Sequence, residues 1–198
     1  MNEHYYSRNP KSEHDLHEFH TDVLGRKFHF TTDASVFARR MIDYGTRTLI
    51  EHLPFPLSGH VLDVGCGYGP IGLTVAALSP EAAVTMVDVN KRALELSRIN
   101  AVRNKIEQVE ILESNALAAV GERYFDWILT NPPIRAGKRV VYSIFEEARQ
   151  HLRSQGQFWL VIQKKQGAPS AIKKLETLFV NVDVVVRSKG YFVIRCRV

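Results

Sequence analysis

The residues best equipped for chemistry are Asn131-Pro132-Pro133-Ile134, directly after the β-like run Phe125–Thr130. Two prolines stiffen the segment and leave the carbonyls of Asn131 and Pro132 without regular ladder partners. A rigid amide oxygen beside a fixed backbone carbonyl suits an exocyclic planar nitrogen. Both accept hydrogen bonds from an NH2 group, weaken its conjugation and aim its lone pair. A carboxylate at position 131 could accept the same bonds. Catalysis of this kind is mostly positioning, for which roughly 7–11 kcal/mol is available at best.

A second stretch lies upstream, Val61-Leu-Asp-Val-Gly-Cys-Gly-Tyr-Gly-Pro-Ile-Gly72. An apolar run leads into Gly65, Gly67 and Gly69, and Pro70 then opens a helical pattern to about Leu78. Strand, tight turn and helix follow, because glycine tolerates positive φ and close approach and proline suits a first helical turn. Such a turn holds a ligand at the carboxyl edge of a parallel sheet. Two readings are open. Gly67, Gly69 and Gly72 satisfy G-x-G-x-x-G, with Asp88 about twenty residues on, as a dinucleotide site requires. Read from Asp63, the pattern Asp63-x-Gly65-x-Gly67-x-Gly69 resembles the S-adenosylmethionine signature of class I methyltransferases. That resemblance implies that Asp63 and the loop backbone hold the amino-acid end of the cofactor.

The elements that must position these residues alternate. Strands are expected at His60–Val64, Ala83–Asp88, Val109–Glu113, Phe125–Thr130 and Gln157–Ile162. Helices are expected at Pro70–Leu78, Lys91–Asn104, about Val140–Leu152 and Pro169–Leu178. Leu94, Leu96, Ile99 and Val102 are the apolar candidates for burial on the second of these. Strands separated by helices make right-handed crossovers and a parallel, doubly wound sheet. The runs Val180–Val186 and Tyr191–Arg197 are joined only by Arg187-Ser-Lys-Gly190, too short for a crossover, and must pair antiparallel. Upstream, Lys27–Thr31 alternates like a hairpin arm. Asp33 or Ser35 is a candidate cap for a helix through Phe37, Met41 and Ile42, continuing over Thr46–Leu53 toward Pro54.

The chain has 198 residues, 45% hydrophobic and 24% charged, ordinary values for one globular domain. Residues 1–24 are expected as a polar arm and 25–198 as a single domain. His14, His17 and His20 would share a helical face, but no recognised metal spacing accompanies them. No metal is expected. The net charge of +5 favours a polyanionic partner. Two cysteines make no disulfide framework, and no leader or apolar run long enough for a membrane span is evident, so a cytoplasmic setting with no membrane partner is expected.

The motifs together, over about residues 30–198, resemble the amino-methylating class I enzymes. Asn131-Pro-Pro-Ile-Arg-Ala-Gly137, with Phe37 and Gly45-Thr46 upstream, looks most like the RsmC-type ribosomal RNA guanine-N2 methyltransferases of the small subunit. The resemblance implies a Rossmann-like class I methyltransferase fold, a seven-stranded mixed sheet with a C-terminal antiparallel hairpin. It implies S-adenosylmethionine as cofactor, with Asp88 on the ribose hydroxyls and Val89 beside it. Asn115 and the Ala116 amide would meet the adenine. Asn131 with Pro132 and Pro133 would hold the target amine, turning its lone pair to the sulfonium methyl for in-line displacement. The segment from Phe37 to Thr46 resembles an element that closes over the cofactor.

Ile134 stands where an aromatic stacking residue is common, and longer members carry a second, degenerate half, which a homodimer could replace. Arg135, Lys138 and Arg139, with Lys164-Lys165 and Lys173-Lys174 further on, would hold phosphates of ribosomal RNA or the small ribosomal subunit. The expected activity is methylation of a guanine N2 amine. The alternatives are glutamine-N5 methylation of a release factor and a noncatalytic dinucleotide-binding protein.

Overall fold

The computed structural model of the protein describes residues 13–198, apart from positions 35, 37 and 39. It opens with a hairpin, β1 (His17–Val23) and β2 (Arg26–Thr32), paired antiparallel from His17↔Thr32 to Val23↔Arg26. The part of the expected polar arm from His17 onward is therefore strand. Its turn, Leu24-Gly25, takes positive φ at both residues, which matches the right-handed twist of a two-residue hairpin. His17 and His20 fall on opposite faces of β1, since strand side chains alternate. His20 instead stacks on His29, ring centroids 4.2 Å apart. Among the described residues no group of His, Cys, Asp and Glu could hold a metal ion.

The body is one seven-stranded sheet. Its strands are β3 (Gly59–Val64), β4 (Ala82–Asp88), β5 (Val109–Glu113), β6 (Phe125–Thr130), β7 (Leu152–Gln163), β8 (Asn181–Ser188) and β9 (Tyr191–Arg197), in the order β5-β4-β3-β6-β7-β9-β8. Neighbours from β5 through β7 pair in parallel, and β9 runs antiparallel to both β7 and β8. The expected terminal hairpin is present. Its two-residue turn, Lys189-Gly190, again has positive φ at both positions.

Alternation sends successive strand residues to opposite layers. Val61, Val84, Met86, Leu129, Trp159 and Val193 face α1 (Tyr44–His52), α2 (Pro70–Leu78), α3 (Lys91–Arg103) and the β1–β2 hairpin. Leu62, Val87, Ile128, Phe158, Leu160 and Ile194 face α4 (Lys138–His151) and α5 (Ala168–Glu176).

Two expectations are corrected. The described residues between Asp33 and Asp43 are not helical, and the helix begins at Tyr44, capped by Asp43, whose Oδ1 accepts the amides of Gly45 (3.0 Å) and Thr46 (3.2 Å). Asp33 cannot serve as that cap because it is wholly buried and already committed. It accepts the Asp15 and Ala34 amides, contacts His14 and faces Arg92. Ser35 and Phe37 lie outside the described residues. On α3, Leu94 and Leu96 are buried as expected, but Ile99 and Val102 are 44% and 79% exposed. The inward face there belongs to Ser97 and Asn100.

Candidate active site

The sheet edge at the ends of β3, β4 and β6 opens into a cleft of about 280 Å³. Its floor is the turn after β3. Gly65 and Cys66 donate their amides to the Val87 carbonyl (2.8 and 3.0 Å), locking the turn onto β4. Gly67 donates to Asp88 Oδ2 at 2.8 Å, while Asp88 Oδ1 accepts the Asn90 amide at 2.9 Å. Each oxygen keeps lone-pair capacity for a ligand. Asn90 caps α3, accepting from Arg92 and Ala93, so Asp88 is spared that duty.

The glycines divide by role. A side chain on Gly65 (φ +72°) or Gly67 (φ +59°) would meet nothing within 4 Å, so bare backbone lines the open cleft at both. At Gly69 a Cβ would run into Leu73 and Met86, and at Gly72 into Met86 and Asp63. Those two glycines let α2 lie close on the sheet and are not part of the lining.

Polar contacts from elsewhere in the chain brace the turn. Ser97 donates to the Gly67 carbonyl (2.7 Å) and Asn100 to the Tyr68 carbonyl (2.9 Å). Asn100 also exchanges both bonds with the Thr31 backbone, and Asn104 does the same with His29. Four residues apart, on α3 and at its C-terminal cap, the two amides complete the open edge of β2 as a neighbouring strand would. Phe19 and Phe30 pack edge-on against Tyr68, centroids 6.2 and 5.5 Å away.

The expected catalytic segment closes the opposite wall. Pro133, at φ −74° and ψ 78°, sits at the centre of an inverse γ-turn in which Ile134 N–H donates to the Pro132 carbonyl at 2.8 Å. That carbonyl has no ladder partner, as the sequence suggested, but the turn pins it, with one lone pair still available. Asn131 Nδ2 donates to Thr46 Oγ1 at 2.9 Å and lies 3.4 Å from both oxygens of Asp43. Its amide oxygen has no hydrogen-bond partner among the described residues.

Of the expected site residues, Gly65, Gly67, Asp88, Val89, Asn115 and Ala116 line the cleft on the side of the glycine turn. Asn131, Pro132, Pro133, Ile134 and Arg135 line it on the other. Ser114 donates to the Ala116 carbonyl at 2.7 Å and so ties down the 115–116 rim. Asp63 is wholly buried beneath the turn: Oδ2 accepts the Gly72 amide at 2.9 Å, and Oδ1 has no partner. Lys138 and Arg139 are exposed in the first turn of α4, outside the lining. Lys174 is ion-paired to Glu146 at 2.6 Å. Sequence reasoning missed Asp43 and Tyr68 as site residues. For Asp43 a signal existed, an N-cap residue directly before Tyr44-Gly-Thr. Tyr68 carried none, being hidden inside a motif read only for its glycines.

Electrostatically the cleft favours cations. Burial pushes the carboxyls of Asp43 and Asp88 up, against hydrogen bonds that pull them back. Burial, with the charge of Asp88, pushes Asp63 up to about 7. The buried Tyr68 hydroxyl also lacks a partner. Asp63 lies beneath the turn and does not line the cleft, so the bare backbone of Gly65 and Gly67, with Tyr68 beside it, is what faces the amino-acid moiety of the expected cofactor. The Asp88 carboxylate at the end of β4 fits a ribose.

The methyltransferase small domain family matches residues 27–195 of this sequence. The chain belongs to that family. Class I methyltransferase architecture and an S-adenosylmethionine cofactor, both expected above, are thereby borne out. The terminal hairpin and family membership both oppose the dinucleotide-binding alternative. A protein of Bacillus subtilis, YbxB, is 48% identical over the whole chain and 99% of its own length. Ribosomal RNA large subunit methyltransferase G of Cronobacter sakazakii is 33% identical over 82% of this chain and 44% of its own. The T. thermophilus 16S rRNA guanine-N2 methyltransferase RsmC, solved with AdoMet and guanosine, superposes with a TM-score of 0.83 at 25% identity. That match covers 95% of this chain and 52% of RsmC. The chain thus spans about half the length of both RNA methyltransferases.

Proposed function

We propose that the protein transfers a methyl group from S-adenosylmethionine to the exocyclic N2 amine of a guanine in ribosomal RNA of the small subunit. The observation that carries the reading is the unpaired amide oxygen of Asn131 beside the pinned Pro132 carbonyl, across the cleft from the glycine turn. Two fixed acceptors are what an NH2 group needs to be held with its lone pair aimed. The cofactor supplies an electrophilic methyl on a sulfonium when bound. Gly65 and Gly67 offer bare backbone to it, Asp88 its carboxylate, and Asn115 and Ala116 the adenine rim. The acidic cleft suits a cationic cofactor. Arg135 lines the cleft, and it, Lys138, Arg139, Lys164, Lys165 and Lys189 are exposed and form no ion pair among the described residues. They suit an RNA backbone.

The relatives favour RNA over a protein substrate, since two of them are ribosomal RNA methyltransferases by name. Those two differ in the subunit they modify, so the test must separate subunits. The protein is incubated with labelled S-adenosylmethionine and, separately, naked 16S and 23S RNA, both ribosomal subunits and total protein. N2-methylguanine in small-subunit RNA is the expected product. Label in 23S RNA moves the target to the large subunit, and label in protein overturns the RNA reading.

A further inference from the structure

We propose that Asp43, acting with Thr46, sets which way round the Asn131 amide sits and so restricts the cleft to a nucleophile that donates hydrogen bonds. The inference rests on the amine-methylating reading above. An amide side chain offers a donor at one end and an acceptor at the other, and the two ends are nearly equal in shape. A half-turn of Asn131 about its last torsion would replace the acceptor facing the cleft with a donor, and the site would repel an incoming NH2. Something must decide between the two states.

The Pro132 carbonyl cannot, because it lies on the substrate side. Thr46 cannot alone, because a hydroxyl donates or accepts equally well. As a carboxylate, Asp43 only accepts. It lies 3.4 Å from Asn131 Nδ2 through both oxygens, a placement that would set oxygen against oxygen if the amide were reversed. The Thr46 side chain also favours the charged form of Asp43. A hydroxyl beside a carboxylate turns its proton that way, which leaves Oγ1 to accept from Asn131 Nδ2 at 2.9 Å. Carboxylate, hydroxyl and amide thus form a directional relay with a single polarity. The carboxylate is itself anchored by the first amides of α1, and the positive end of the helix favours its charge. Asp43 is a positioning residue in this account: it acts on the substrate through Asn131.

The test uses substitutions that keep the helix cap. Asp43→Asn retains an Oδ1 for the Gly45 and Thr46 amides but presents an NH2 that can pair with a reversed Asn131. Methyl transfer at saturating S-adenosylmethionine should fall about 10²-fold, in the range typical of losing one preorganised contact, with Tm nearly unchanged. Asn131→Asp sets two carboxylates against each other and should also fall. The double variant, Asp43→Asn with Asn131→Asp, restores one donor facing one acceptor and should exceed both single variants in turnover. A purely structural Asp43 would give no such rescue. The proposal is overturned if Asp43→Asn keeps full turnover, or if the double variant fails to exceed the better of the two single ones. A second readout needs no substrate: the Asn131 side-chain NH2 signals of 15N-labelled protein should exchange slowly in the wild type and faster in Asp43→Asn. Equal exchange in both overturns the relay. A wild type that methylates no RNA sinks the functional reading and leaves this measurement standing.

Discussion

Asp63 Oδ2 accepts the Gly72 amide at 2.9 Å while Asp63 Oδ1, a few bonds away, has no partner. A fully buried carboxyl so placed holds its proton up to about pH 7, against an ordinary value of 3.8. The folded state therefore binds a proton that the unfolded chain has released. Stability falls as pH rises through that window, by ~1.4 kcal/mol per pH unit and ~4 kcal/mol in all for this group alone, and levels off above it. Asp63→Asn can keep the Gly72 bond and should flatten the slope. Urea unfolding of both proteins across this range checks it; parallel curves would refute the assignment.

Gly65→Ala and Gly72→Ala should fail in different ways. At Gly72 the new Cβ meets Met86 Cγ at 2.6 Å, and overpacking should lower stability by about 1–3 kcal/mol. At Gly65 it meets only open cleft. Apart from about 1–3 kcal/mol of strain at positive φ, its main effect should be weaker S-adenosylhomocysteine binding. Calorimetry of binding and of unfolding on each variant separates the two.

Removing the Asn100 side chain leaves both backbone groups of Thr31 and the Tyr68 carbonyl without their partner. Each buried polar group so orphaned typically costs about 1–3 kcal/mol. Asn100→Ala should therefore be among the more destabilising single changes outside the apolar core. Hydrogen exchange should show the β1–β2 hairpin opening well below the global unfolding energy. Uniform loss of protection across the sheet would argue against a separable hairpin.

Asn131→Ala should leave fold and cofactor affinity intact and lower turnover about 10²–10³-fold. The sequence alone suggested that aspartate would partly substitute. The Asp43 carboxylate alters that expectation, because a second carboxylate at position 131 would face a like charge. Single-turnover rates on the methylated RNA, beside S-adenosylhomocysteine affinity, distinguish catalysis from binding.

RNA affinity should fall linearly with salt on logarithmic axes, by a slope of about 0.7 per single-strand phosphate neutralised. Replacing Lys138 and Arg139 by glutamine should shallow the slope by one to two such steps and leave cofactor affinity alone. An unchanged slope would place the phosphate contacts elsewhere on the rim, beginning with Lys164 and Lys189.

What the sequence determined by itself was local. Alternate glycines with a following proline dictate a strand, turn and helix, and the helix begins at Pro70 as expected. A short turn ending in glycine forces β8 and β9 to pair, whatever lies around them. These outcomes depend on backbone sterics within a few residues. Tertiary structure decided the rest. Asp43, and not Asp33, caps α1 because buried partners from elsewhere engage Asp33. α3 turns Asn100 inward and leaves Ile99 and Val102 in solvent because β2 presents backbone groups there that only amides can satisfy. The polarity of Asn131 comes from a carboxylate 88 residues away in the chain. No local pattern encodes that distance, since hydrogen-bond direction is fixed only when the fold brings donor and acceptor together.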